Sequence, residues 1–312
     1  MNPYADYHSQ LKRLEQKLGA IDQDPAVHLE GLIWAKPITY WDYIHTDALL
    51  SLQIQRTTLP DEMVFIMYHQ INELLFKMTL WEIYQVLEHP GPDAGVFVKH
   101  LKRISRYFDM LTSSFDIMKD GMEVEQYMKF RNTLTPASGF QSAQYRMVEF
   151  ACTDAMNLVD ARFRKEPSQQ AGDDWIYEHL YWHAAGKDHA TGKRNTLIRL
   201  FEEKYRRTFL DAIAEHKGRN LWSVYLSLPE SERESKELRD AMRDFDRTVN
   251  IKWVLAHYHA AEHYLESGQK RAEATGGSDW KKYMHPRYQR RMFFPALYSE
   301  NELLNWGQET DL

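Results

Sequence analysis

Asp61–Leu87, DEMVFIMYHQINELLFKMTLWEIYQVL, is the stretch whose reading decides the fold. It follows Pro60, contains no internal Gly or Pro, and stops at His89-Pro90-Gly91-Pro92, which together are helix start and stop signals. Phe65, Ile66, Ile71, Leu74, Leu75, Met78 and Leu80 recur close to three- and four-residue spacing, so the pattern predicts a long helix with one broad buried face. His69 lies on that surface one turn after Phe65, and residues so spaced stand one above the other. Taken alone, a histidine in a buried helix is most often a core residue bonded to a neighbour. The remainder of the chain has to decide between that reading and a functional one.

Outward from this stretch the chain reads as further helices joined by loops. Tyr4–Gly19 is a charged amphipathic helix with Leu11, Leu14 and Leu18 on one face, and Leu29–Pro37 is apolar and irregular. A helix is expected over Thr39–Gln53, with Tyr40 and Tyr43 on its first turn. Val96–Met118 and Met122–Thr133 follow. After the Thr135-Pro136-Ala137-Ser138-Gly139 turn comes a helix expected over Phe140–Phe163, with Ser138 and Gln141 spaced as a capping box. Leu197–His216 and Leu238–Glu266 are long helical patterns. Sustained period-two alternation and Asn-Gly or Asp-Gly hairpins are missing, and no composition shift marks a boundary. The expected fold is therefore all-α, a single large helical-bundle domain over residues 1–312 that binds its ligands between helices.

Composition narrows the function. The formal charge of -6 and pI near 6.2 argue against a nucleic-acid partner, which calls for a basic face. One cysteine, Cys152, excludes an internal disulfide and any cysteine-based zinc or iron–sulfur site. The opening residues, MNPYADYHSQ, lack the apolar region of a secretory signal, and no apolar run reaches the roughly 18–20 residues of a membrane span. A cytoplasmic protein is expected.

Three histidines share the segment WVLAHYHAAEH: His257, His259 and His263. His259 and His263 are four apart, a possible metal pair, but His257 lies about 200° round the helix from His259, so the three cannot meet at one ion. The plainer account is one buried histidine, His257, beside Trp253, with the other two on a wetter face near Glu262 and Glu266. A single buried helical histidine is also what a haem iron uses as its proximal ligand. Tyr127 and Arg131 are four apart near a helix end, where Arg either satisfies terminal carbonyls or takes a carboxylate with two parallel bonds. Ala274-Thr275-Gly276-Gly277-Ser278 is either a flexible connector or a small-residue loop able to fold over a ligand.

These features form a set. The run FRNTLTPASGFQSAQYR over 130–146, ending at Glu149, closely resembles the signature of tryptophan 2,3-dioxygenases. Phe65–Gln70 with Glu73–Lys77 resembles that family's distal helix, and Tyr40–Tyr43 its N-terminal two-tyrosine segment. Trp253, His257 and the Thr275–Ser278 loop resemble its haem-ligand helix and closing loop. The resemblance covers roughly residues 35–165 and 235–280, in the family's order.

The resemblance implies haem b as cofactor, His257 as proximal iron ligand, and His69 as the distal histidine bonded to the substrate indole N–H. It implies an indole pocket lined by Phe65 and by Tyr127, which stands where the family commonly has Phe. Arg131 would hold the substrate carboxylate, Thr275 its ammonium group, and Ser138 would lie near the haem edge. The implied reaction is cleavage of the indole C2–C3 bond of L-tryptophan by O2 to N-formylkynurenine, which opens the kynurenine pathway of tryptophan catabolism. The implied assembly is a homotetramer, a dimer of dimers in which residues 1–57 carry Tyr40 and Tyr43 to a neighbouring subunit. Two other readings are a superfamily enzyme that inserts one oxygen atom into a related aromatic, and a non-catalytic haem- or indole-binding sensor. The altered spacing before Thr275, about four residues longer than usual, is where such a difference would lie.

Overall fold

The computed structural model describes residues 3–134, 141–164, 172–186, 194, 196–266, 281 and 284–308. Its contacts group the chain into two compact units, Met1–Gln53 and Ile54–Leu312. Among the described residues there is no strand, only an isolated bridge between Val159 and Leu180, and the fold is all-α as expected.

The first unit holds α1 (Pro3–Gly19), α2 (Pro25–Trp34), α3 (Tyr40–Ile44) and α4 (Thr46–Leu49). Of the segment expected to be irregular over Leu29–Pro37, the part up to Trp34 is helical and only the remainder is irregular. Pro25 supplies a preset first-turn φ, and the Asp24 side chain accepts from Ala26 N at 2.9 Å, so the helix starts earlier than its apolar residues suggest. The single helix expected over Thr39–Gln53 is split instead, because His45 adopts the left-handed conformation at φ 57°.

The second unit is built on α5 (Pro60–Leu87), with Pro60 at its first turn. It is followed by α6 (Ala94–Ser113), α7 (Phe115–Asp120), α8 (Val124–Phe130) and a 3-10 turn over Arg131–Leu134. Then come α9 (Ala143–Cys152), α10 (Asp173–Glu178), α11 (Thr196–His216), α12 (Leu221–Ser227), α13 (Glu230–Arg233), α14 (Lys236–Arg247) and α15 (Trp253–Glu266). A π-turn, Thr248–Lys252, joins the last two. The helix expected over Phe140–Phe163 is shorter. Its cap is Ser142, whose hydroxyl accepts from Tyr145 N at 3.3 Å, and it ends at Thr153. The proposed partner Ser138 lies outside the described residues.

The buried face of α5 differs from the one expected. Tyr68, Leu75, Phe76, Ile83 and Val86 face the core, whereas Ile71, Leu74 and Met78 are exposed. The helix is apolar on nearly every side, so residue spacing could not single out its inner face. Side chains fix its neighbours. Buried Glu82 receives His100 Nδ1 from α6 at 2.5 Å, along with Arg103 and Tyr107. Gln144 of α9 donates to the Glu73 carbonyl and carboxylate at 3.0 and 2.9 Å. Asp61 accepts from Glu123 N at 2.7 Å and so ties the start of α5 to the start of α8. Glu62 is buried, which works to raise its pKa. The Thr57 hydroxyl and the N–H groups of Arg56 and Thr57, all donating to its carboxylate, hold it below the usual value. The main core continues through α9, α11 and α14 to Phe293 and Phe294 near the chain end.

Candidate functional site

Where α5, α7, α8 and α15 meet, a second apolar cluster forms from Tyr68, Phe115, Met118, Met122, Ala260 and Tyr264, with Phe65, Tyr127 and Trp253 packed against it. The site residues expected on α5, α8 and α15 gather here. Phe65 lies 4.1 Å from His69 and 6.1 Å from Tyr127 between ring centroids. Tyr127 in turn lies 4.3 Å from Tyr264. Tyr264 anchors α15 by donating its hydroxyl to the Met118 carbonyl.

His69 is half-buried, and its Nδ1 lies 2.8 Å from the Phe65 carbonyl oxygen. A carbonyl can only accept, so Nδ1 carries the proton and Nε2 keeps its lone pair. No described residue bonds Nε2. Burial lowers the pKa of His69, against the opposing pulls of the Phe65 carbonyl and Glu73, so the ring is neutral at ordinary pH. The plain reading, a histidine satisfied by a neighbour, therefore holds for one nitrogen only.

His257 is also half-buried and stacks on Phe115 at 5.4 Å with the rings 11° apart. Burial, and then the nearby His69, bring its pKa down to about 4. Neither ring nitrogen has a hydrogen-bond partner among the described residues. A haem iron needs a neutral imidazole nitrogen that is not already committed, and His257 fits that need. His259 by contrast is exposed, 3.7 Å from Glu262. Among the described residues no three His, Cys, Asp or Glu side chains gather to hold a metal ion, so His259 and His263 have no third ligand there.

Arg131 follows α8 directly. Its guanidinium lies 5.9 Å from the Tyr127 ring centroid and its Nη1 3.7 Å from Met128 Sδ. The cation thus borders the aromatic pocket, beside the polarizable Tyr127 ring and Met128 sulfur. Tyr40 and Tyr43 lie in the first unit and are 72% and 70% exposed. Thr275 and Ser138 lie outside the described residues.

Sequence reasoning missed Phe115 and undervalued Trp253. Trp253 packs 4.7 Å from Tyr145 and edge-on to Phe76 and Phe108, each at 5.9 Å, joining the site to the main core. Its spacing of four before His257 was the available signal. Phe115 carried none, since its approach to His257 comes from the break between α6 and α7 at Ser114.

Residues 33–165 match the family model described as tryptophan 2,3-dioxygenase. A tryptophan 2,3-dioxygenase of Ruegeria pomeroyi is 39% identical over 129 residues, 41% of this chain and 46% of the relative. That of a Ruegeria species is 42% identical over 119 residues, 38% of this chain and 42% of the relative. These matches span less than half of either relative. Similarity to the tryptophan 2,3-dioxygenase of Bradyrhizobium diazoefficiens extends over 91% of this chain and 99% of the relative, at 26% identity. The resemblance read from the 130–149 run and the distal helix is thereby borne out.

Proposed function

We propose that this chain, similar as it is to tryptophan 2,3-dioxygenases, is a cytoplasmic haem-dependent enzyme that cleaves the indole C2–C3 bond of L-tryptophan with O2, giving N-formylkynurenine. The observation that carries the reading is the pairing of two neutral histidines around one aromatic pocket: His69 with Nε2 as a fixed acceptor, and His257 with neither nitrogen bonded to a described residue. An indole N–H buried without an acceptor costs roughly 1–3 kcal/mol, and the His69 tautomer removes that cost. Phe65 and Tyr127 form the wall against which an indole ring is held in one plane. Arg131 takes the substrate carboxylate, and Thr275 the ammonium group. His257 holds haem b, with Ser138 near its edge. When bound, the haem supplies the iron that activates dioxygen, while the protein orients the substrate and excludes water.

The partner reading is a homotetramer in which Tyr40 and Tyr43 complete a neighbouring subunit's site. It is supported by α5, where Met67, Ile71, Leu74, Met78 and Trp81 recur at four- and three-residue spacing and are 39–70% exposed. A helix that is apolar all round belongs in a packed interior, and each such side chain fully removed from water contributes roughly 1.5–3 kcal/mol.

The test is to incubate haem-loaded, reduced protein with L-tryptophan and oxygen and weigh the product. A gain of two oxygen atoms supports the proposal. A gain of one makes it a monooxygenase, and no turnover with a normal ferrous–oxygen spectrum leaves a binding protein.

A further inference from the structure

The helix bearing His257 is not regular. Between α14 and α15 the backbone widens into the π-turn Thr248–Lys252, closed by Trp253 N–H donating to the Thr248 carbonyl. A π-turn holds about one residue more than an α-turn, and such turns recur at functional sites. The consequence for phase is large. At about 100° per residue, Leu238, Met242 and Phe245 share one fully buried face of α14. Continued without interruption, that face would next present Ala256 and His263, with His257 about 100° away. The extra residue turns α15 back by about 100°, so that Trp253, His257 and Tyr264 continue the inner face instead. Tyr264 is accordingly buried, and His257 stacks on Phe115.

The wide turn is gripped by a buried polar cluster. Asn250 Nδ2 donates to Asp246 Oδ1 at 2.6 Å, and Asn250 Oδ1 accepts from Arg291 Nε at 2.5 Å. Arg291 Nη1 donates to Glu149 Oε1 at 2.7 Å and to the Tyr181 hydroxyl. Glu149 also receives Arg146 Nη1 at 2.7 Å and Tyr181 Oη at 2.6 Å. Asp246 receives the backbone N–H groups of Phe293 and Phe294 at 2.9 and 3.0 Å. Asn250, Asp246, Arg291 and Glu149 are each no more than 3% exposed, so none can exchange its partner for water.

We infer that Asn250 and Arg291 are positioning residues: they hold the π-turn open and so set the rotation at which His257 is presented, an inference that rests on His257 being the haem ligand. A cluster that only stabilised the core would not depend on helix phase, and this separates the two roles.

Asn250→Leu removes both side-chain bonds at similar volume. Its turn relaxes to α-form, Ala256 replaces His257 on the inner face, and the ferrous haem protein loses its iron–histidine stretch in resonance Raman spectra. Deleting Ile251 in the same background removes the extra residue, restores the phase in a regular helix, and returns the stretch. The inference is overturned if Asn250→Leu keeps the wild-type stretch, or if the deletion fails to bring it back. Should Asn250→Leu not fold, Asn250→Ser carries the same pair of measurements. If wild-type protein takes up no haem, or His257→Ala leaves the spectrum unchanged, the haem reading fails instead. The crystal structure of haem-free Asn250→Leu then decides the clamp: an α-form turn with Ala256 against Phe115 supports it, and an intact π-turn overturns it.

Discussion

His69 and His257 are the same residue type on similar helices, and their different neighbours set their different uses. His69 spends Nδ1 on its own helix, at the Phe65 carbonyl, and so becomes a fixed acceptor. Among the described residues His257 spends neither nitrogen, and it stays neutral because burial lowers its pKa to about 4. His257→Ala is therefore expected to abolish stoichiometric haem uptake, read from the absorbance of reconstituted protein. His69→Ala leaves haem in place and removes one orienting bond, a loss of about 1–3 kcal/mol, or roughly 5- to 150-fold in kcat/KM for tryptophan. If 1-methyltryptophan, which has no indole N–H to donate, suffers the same loss, the proposed bond is wrong. Arg131→Ala removes the proposed charge-assisted contact with the substrate carboxylate, worth about 1.5–3 kcal/mol, so KM should rise at least 10-fold. An unchanged KM places the carboxylate elsewhere. The motif resemblance, added to helical spacing, made Phe65, His69, Tyr127 and Arg131 legible as candidates in the sequence. Phe115 was not, because its contact with His257 joins helices far apart in the chain.

Among the elements, α5 has three kinds of side. One carries Phe65 and His69, one enters the core with Leu75, Phe76 and Ile83, and one carries the exposed row from Met67 to Trp81. Spacing predicted the helix well and its buried face poorly, since Ile71, Leu74 and Met78 fit a core stripe as well as Tyr68 and Leu75 do. The exposed row makes a prediction at this scale. Leu74→Glu places a charge in the middle of that face, so sedimentation should show a smaller assembly with an unchanged helical circular-dichroism spectrum. An assembly of wild-type size would remove α5 from the proposed interface. The π-turn between α14 and α15 had no sequence mark, because Thr248–Lys252 contains neither Gly nor Pro and suits a helix throughout. Only the partners of Asn250 reveal why the helix widens there.

Across the molecule, residues far apart in sequence share one buried polar cluster, with Glu149 from α9, Asp246 and Asn250 from the His257 helix, and Arg291 from the chain's end. Burial pushes the Asp246 carboxyl up from 3.8 to about 6, against the opposing pull of the Phe293, Phe294 and Asn250 donors. Between pH 4 and 6 the folded chain then keeps a proton that the unfolded chain releases. Stability from this group is present at about pH 4 and is lost as pH rises towards 6, by an amount on the order of 2–3 kcal/mol. Urea unfolding of wild type and Asp246→Asn over pH 4–7 isolates it, with wild type expected to lose stability relative to the variant across that window. Parallel curves would show that Asp246 does not titrate there.

What the sequence determined by itself was local: helices from periodicity and Pro boundaries, an all-α class from missing alternation, and single pairs such as Phe65 and His69 whose spacing stacks them on one helix face, with their pocket roles implied by the resemblance. Those properties depend on neighbours within a turn or two, and the chain states them directly. The tertiary structure decided which side of α5 is inside, where Phe115 closes on His257, and how the tail clamps the π-turn. Each of these compares the burial of one apolar or polar group with that of another on a distant element. Such a comparison exists only once the elements are packed together.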